Sequence, residues 1–121
     1  MRRVLIVDDE IETVRMLALA LELFGFEPME ALSGAEALRQ IENRVPDAVV
    51  LDLMMPDMDG LQVIRRIRAD PKSAALPIIV VTAMVDRDAE EGCRQAGAAH
   101  FLRKPVKIED LASLLQSATG G

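Results

Sequence analysis

The stretch Ala48-Val49-Val50-Leu51-Asp52-Leu53-Met54-Met55-Pro56-Asp57-Met58-Asp59-Gly60 holds four consecutive apolar residues that run into one carboxylate and then a loop punctuated by proline and glycine. A short, wholly apolar run with β-branched residues between turn signals suits a strand buried on both faces. Strands of that kind belong to parallel sheets covered by helices on both sides, which puts Asp52 at the carboxyl end of a central strand.

Similar runs lie outward from this one, at residues 4–7 and 78–81, with less regular ones around 28–31 and 98–102. Between them fall segments with helical spacing: Ile11, Val14, Leu17, Ala18 and Leu21; Ala35, Leu38 and Ile41; Leu61, Ile64 and Ile67; Ile108, Leu111, Leu115 and Ala118. Strand and helix alternate five times, so the chain is expected to form an α/β single domain with a doubly wound parallel sheet. Pro28 and its flanking glutamates assign their strand to a sheet edge, where a missing donor is tolerated. Segment 86–95 is the weakest helix, because only Ala89, Cys93 and Ala96 form its apolar stripe and Gly92 costs about 1 kcal/mol relative to alanine.

A chain of 121 residues, half of them apolar, is long enough for one core but not for a second domain. Twenty acidic against 14 basic residues give a net charge of −6, which opposes docking on phosphate backbones or anionic lipid. Nucleic acid and membrane are therefore not expected partners. A single cysteine, Cys93, fits a reducing compartment, and the apolar start reaches Asp8 too early for a signal peptide or a membrane span, so a cytoplasmic location is expected.

Each strand candidate on the site side ends in a reactive side chain: Asp8-Asp9-Glu10, Asp52, Thr82 and Lys104-Pro105. Ligands of open α/β sheets bind outside the carboxyl ends of the strands, so these four signals converge on one site. Clustered carboxylates select a hard divalent cation, most naturally Mg²⁺, while a lysine and a threonine hydroxyl can hold phosphoryl oxygens. The set describes phosphoryl transfer, with Asp52 as the nucleophile and Asp8 and Asp9 as the pair that holds the ion. The bland alternative is that acidic residues after strands only cap helices, a role also expected of Asp9.

These residues resemble the receiver domain of two-component response regulators, the CheY-like family, over essentially the whole chain. The resemblance rests on Val4 to Glu10, on Asp52 to Gly60, on Val81-Thr82-Ala83, and on Lys104-Pro105 preceded by Gly97-Ala98. It implies a flavodoxin-like (βα)5 fold with strand order 2-1-3-4-5 and a receiver domain spanning 1–121, in which 119–121 is a tail or the start of a linker. It implies that Asp9, Asp52 and the Met54 backbone carbonyl bind Mg²⁺, with Asp8 acting through water. Thr82 and Lys104 would hold the phosphoryl oxygens. The phosphodonor would be a histidine kinase or a histidine phosphotransfer protein, and the readout a downstream effector protein or domain, with the receiver itself a monomer or weak dimer. The protein is then a signalling switch rather than an enzyme, catalysing only its own phosphotransfer and slow dephosphorylation. Switching would run through Thr82 and Phe101 to the face made by the fourth helix, fifth strand and fifth helix; phenylalanine has no hydroxyl, so any readout there is by packing.

Met54 and Met84 stand two residues beyond Asp52 and Thr82, positions that flank the phosphoryl group in this family. Neither thioether can orient an attacking water, so slow hydrolysis is expected, against the alternative that both are adaptable filler. The first helix carries a second apolar stripe, Met16, Leu19 and Leu23, expected either to dock the phosphodonor or to pack on the fifth helix through Leu114. Arg65, Arg66 and Arg68 are expected on the solvated side of the third helix, and His100 and Cys93 carry no assigned chemistry. A phosphatase of the haloacid dehalogenase type would need an aspartate where Met54 stands. A flavin carrier would need a hydroxyl-rich loop after the first strand, and nucleotide-binding glycine motifs are absent.

Overall fold

A computed structural model of the chain describes residues 1–83 and 86–120. Five strands, β1 (Arg3–Val7), β2 (Glu27–Ala31), β3 (Ala48–Leu51), β4 (Ile78–Thr82) and β5 (His100–Arg103), alternate with five helices, α1 (Ile11–Leu23), α2 (Gly34–Asn43), α3 (Gly60–Ala69), α4 (Arg87–Ala96) and α5 (Ile108–Ala118). The strands form one parallel sheet in the order β2-β1-β3-β4-β5, so Pro28 lies on an edge strand, as its missing N–H requires.

Alternation along the strands sorts their side chains into two cores. Leu5, Val49, Leu51, Ile78 and Val80 face α2, α3 and α4 through Ala37, Ile41, Val63, Ile64, Ile67 and Cys93. Val4, Ile6, Val50, Ile79 and Val81 face α1 and α5 through Val14, Leu17, Leu21, Leu111 and Leu115. All four residues of β3 are buried, which is why its sequence reads as an uninterrupted apolar run.

Several expectations need correction. Ile11 is 44% exposed, because the first turn of α1 overhangs the strand ends and the core stripe begins at Val14. Asp9 does not cap α1: Glu10 occupies the cap position without a side-chain bond, and its N–H donates to Asp8 Oδ1 at 3.0 Å. β5 starts at His100 rather than 98, since Gly97 ends α4 in a left-handed conformation (φ 117°) and the Ala98 N–H turns back to the Cys93 carbonyl at 2.9 Å. Arg68 is not a solvated surface residue. Its guanidinium donates to the Gly97 carbonyl at 2.7 and 3.2 Å and to the Leu76 carbonyl at 2.6 Å, tying α3 to the end of α4. The thin stripe of α4 does hold, with Cys93 its one buried residue.

Candidate functional site

The sheet order sets the carboxyl ends of β1, β3, β4 and β5 side by side, and with them Asp8, Asp52, Thr82 and Lys104. Asp8, Asp52 and Thr82 are buried, and Asp9 is exposed at the rim. One carboxylate oxygen from each of Asp8, Asp9 and Asp52 lies within 4.8 Å of the others. The Lys104 ammonium donates to Asp8 Oδ2 at 2.9 Å and to Asp52 Oδ2 at 3.4 Å. Its main chain is held as well, by donation from the Lys104 N–H to the Thr82 carbonyl at 2.9 Å.

Burial is the largest influence on Asp52 and pushes its carboxyl above the ordinary range; the Met54 N–H, which donates to Oδ1 at 3.2 Å, and the charge of Lys104 pull it back only in part, and Asp8 adds to the rise. Burial alone would lower Lys104, but its bond to Asp8 and the charges of Asp52 and Asp8 prevail and its pKa is raised. Three carboxylates against one ammonium leave two negative charges, which suits a divalent cation. An all-oxygen donor set of this size is the chemistry of a hard divalent cation such as Mg²⁺.

The other expected site residues fall in three groups. Met54, two residues after Asp52, is 56% exposed at the rim, whereas Met84 lies outside the described residues. Phe101 is half-buried and packs against the core under α2, α3 and α4. Met16, Leu19 and Leu23 are 62, 64 and 88% exposed, which overturns their burial on α5; Leu114 packs instead into the second core. Met16 also lines a groove of about 390 Å³ with Thr13, Leu17, Lys104, Pro105 and Val106, so the apolar face of α1 begins beside the acidic site. His100 is exposed on β5.

One contact escaped the sequence. Asp57, in the loop after β3, accepts hydrogen bonds from the N–H groups of Gly34 and Ala35 at 3.2 and 3.1 Å. No local spacing signals it, because the partners are 23 and 22 residues away.

With this geometry in view, the known proteins are consistent. A family model described as "Response regulator receiver domain" matches residues 4–116. The phosphate regulon transcriptional regulatory protein PhoB of Pseudomonas aeruginosa is 34% identical over 116 residues, 96% of this chain and 51% of PhoB. Two solved structures superpose closely. A CheY-like response regulator receiver domain protein from Methanospirillum hungatei has a TM-score of 0.93 and 27% identity, covering 99% of this chain and 94% of that one. Chemotaxis protein CheY4 of Vibrio cholerae has a TM-score of 0.92 and 30% identity, covering 98% of each chain. The chain spans 51% of PhoB and no more than about half the length of other curated relatives it matches. It belongs to the response regulator receiver domain family of two-component systems, whose members are signalling switches rather than classical enzymes.

Proposed function

We propose that this receiver accepts a phosphoryl group on Asp52 from the phosphohistidine of a histidine kinase or histidine phosphotransfer protein, in a Mg²⁺-dependent reaction. The observation that carries the reading is the Lys104 ammonium bonded to both Asp8 and Asp52 within a cluster of three carboxylates. Asp9, Asp52 and the Met54 carbonyl would hold Mg²⁺, with Asp8 acting through water; the ion supplies positive charge for the transferred oxygens. An Asp52 carboxylate oxygen forms the new P–O bond as the P–N bond breaks, and the leaving imidazole nitrogen keeps the electron pair. Lys104 then pairs with a phosphoryl oxygen and the Thr82 hydroxyl donates to another, so that Thr82 and Phe101 carry the change to the face of α4, β5 and α5. A downstream effector protein or domain reads that face by packing.

The exposed stripe Met16, Leu19 and Leu23 serves in this reading as the phosphodonor's docking surface, since it borders the groove that reaches Lys104. The domain spans 1–121 with 119–121 as tail or linker, works in the cytoplasm as a monomer or weak dimer, and makes no direct contact with nucleic acid or membrane. Among the described residues no helix is long and apolar enough to cross a membrane.

Intact-mass measurement after incubation with a small phosphodonor and Mg²⁺ tests the central reading. Wild type should gain one labile phosphoryl group and Asp52→Ala none; a wild type without a metal-dependent adduct would refute it. The apolar Met54 supports slow hydrolysis, because no polar side chain at that place orients water. Met54→Asn should shorten the life of the adduct, and an unchanged decay would remove Met54 from that role.

A further inference from the structure

The loop that follows the phosphoacceptor, residues 52–59, carries two more aspartates, Asp57 and Asp59, and neither joins the cluster of Asp8, Asp9 and Asp52. Asp59 is accounted for locally: it is the N-cap of α3 and accepts from the Leu61 N–H at 3.0 Å. Asp57 reaches across to a different helix. The N–H groups of Gly34 and Ala35 donate one to each of its carboxylate oxygens, while Ser33 Oγ takes the third free donor, Glu36 N–H, at 3.1 Å. The start of α2 is thus capped at one donor by its own Ser33 and at two by a residue of the phosphoacceptor loop.

The near end of that loop has further contacts of its own. The Met54 N–H is bonded to Asp52 Oδ1, and α3 presses so closely on Leu53 that a Cβ on Gly60 would stand 2.7 Å from the Leu53 Cα. Between the two ends only Met55 is buried and Met58 half-buried, and Met58 lies against Gly34, where a Cβ would meet its Cβ at 3.1 Å. Pro56 and Met54 face outward. Among the described residues, Asp57 is therefore the one polar tether between the exposed apex of the loop and the rest of the fold.

We propose that Asp57 is a positioning residue for the phosphoacceptor site: by clamping the loop to the N-terminus of α2, it fixes the Met54 peptide over Asp52. The inference rests on the reading that Asp52 is the Mg²⁺-dependent phosphoacceptor. The helix terminus favours the pairing twice, through two unsatisfied N–H groups and through the positive end of the helix dipole. Burial acts to raise the Asp57 carboxyl, but the bonds from the Ala35 and Gly34 N–H groups outweigh it and hold the carboxyl below its ordinary range, so the clamp is charged throughout the neutral range. Releasing the clamp frees the peptide whose N–H orients the nucleophile and whose carbonyl would face the ion. α2, which contributes no side chain to the acidic cluster, becomes part of the site's scaffold.

The experiment compares wild type, Asp57→Asn and Asp57→Ala by two measurements. The first is the Mg²⁺ concentration that half-saturates phosphorylation by a small phosphodonor, expected to rise about tenfold in Asp57→Ala, as for the loss of a group that orients a ligand. Asp57→Asn keeps one acceptor and should fall between. The second is amide hydrogen exchange at Met54, Gly34 and Ala35 without phosphodonor, expected to accelerate at all three. Faster exchange at Gly34 and Ala35 alone, with Met54 protection and the Mg²⁺ requirement unchanged, would make Asp57 a mere helix cap and overturn the proposal. If wild type takes no phosphoryl group, the phosphoacceptor reading falls, and the Met54 amide then decides whether Asp57 positions the loop at all.

Discussion

Asp52 is held in an environment that disfavours its charge, and that has a measurable consequence. Because burial raises its folded pKa above the unfolded value, the folded state binds the extra proton between the two values. Stability without metal therefore declines as pH rises through that window, and the cost persists at neutral pH. Asp52→Asn should stabilise the metal-free protein at pH 7 by on the order of 1 kcal/mol and remove this part of the pH dependence, as read by thermal unfolding at pH 4 to 8. Lys104 has the opposite sign: its raised pKa contributes stability at neutral pH that is lost only as pH climbs through the folded value. A destabilised, pH-independent Asp52→Asn would show that Lys104 compensates the buried carboxylate fully.

At the level of elements, α1 and α4 are the two helices with something other than core packing to explain. The outward face of α1 leaves Leu19 and Leu23 in solvent, so serine at both should shift unfolding by less than about 1 kcal/mol. Phosphotransfer from a protein donor should fall severalfold in that double variant, while labelling by a small phosphodonor stays at the wild-type rate. Equal loss with both donors would mean the stripe serves the site's integrity instead. α4 contributes only the buried Cys93 and the half-buried Ala96 to the core and is anchored at its C-terminal end by the Arg68 guanidinium on Gly97. A Cβ on Gly97 would come within 2.7 Å of Arg68 Nε, so the glycine is required both by its positive φ and by this neighbour.

For the whole molecule, the proposed Mg²⁺ site would link metal binding to folding. The carboxylates that would hold the ion follow β1 and β3, which are distant in sequence and adjacent only in the folded sheet, so the unfolded chain offers no comparable site. Mg²⁺ at a hundredfold excess over its Kd should therefore raise the unfolding free energy by about 2.7 kcal/mol in urea titrations, and by far less in Asp9→Ala. An equal gain in both proteins would place the ion elsewhere.

The sequence by itself determined the alternation of strands and helices, the edge position of the strand with Pro28 and the strand-end placement of Asp8, Asp9, Asp52, Thr82 and Lys104, because periodicity, a missing N–H and residues at strand ends are local properties of the chain. Tertiary structure alone decided how those residues are used. Lys104 meets an aspartate 96 positions away, Arg68 leaves the solvated face for the Gly97 carbonyl, Ile11 misses the core, and Asp57 closes on the N-terminus of α2. Such contacts depend on where the crossovers bring separate segments together, and a free helix donor can be satisfied by any acceptor in reach. No spacing along the chain records which acceptor reaches it.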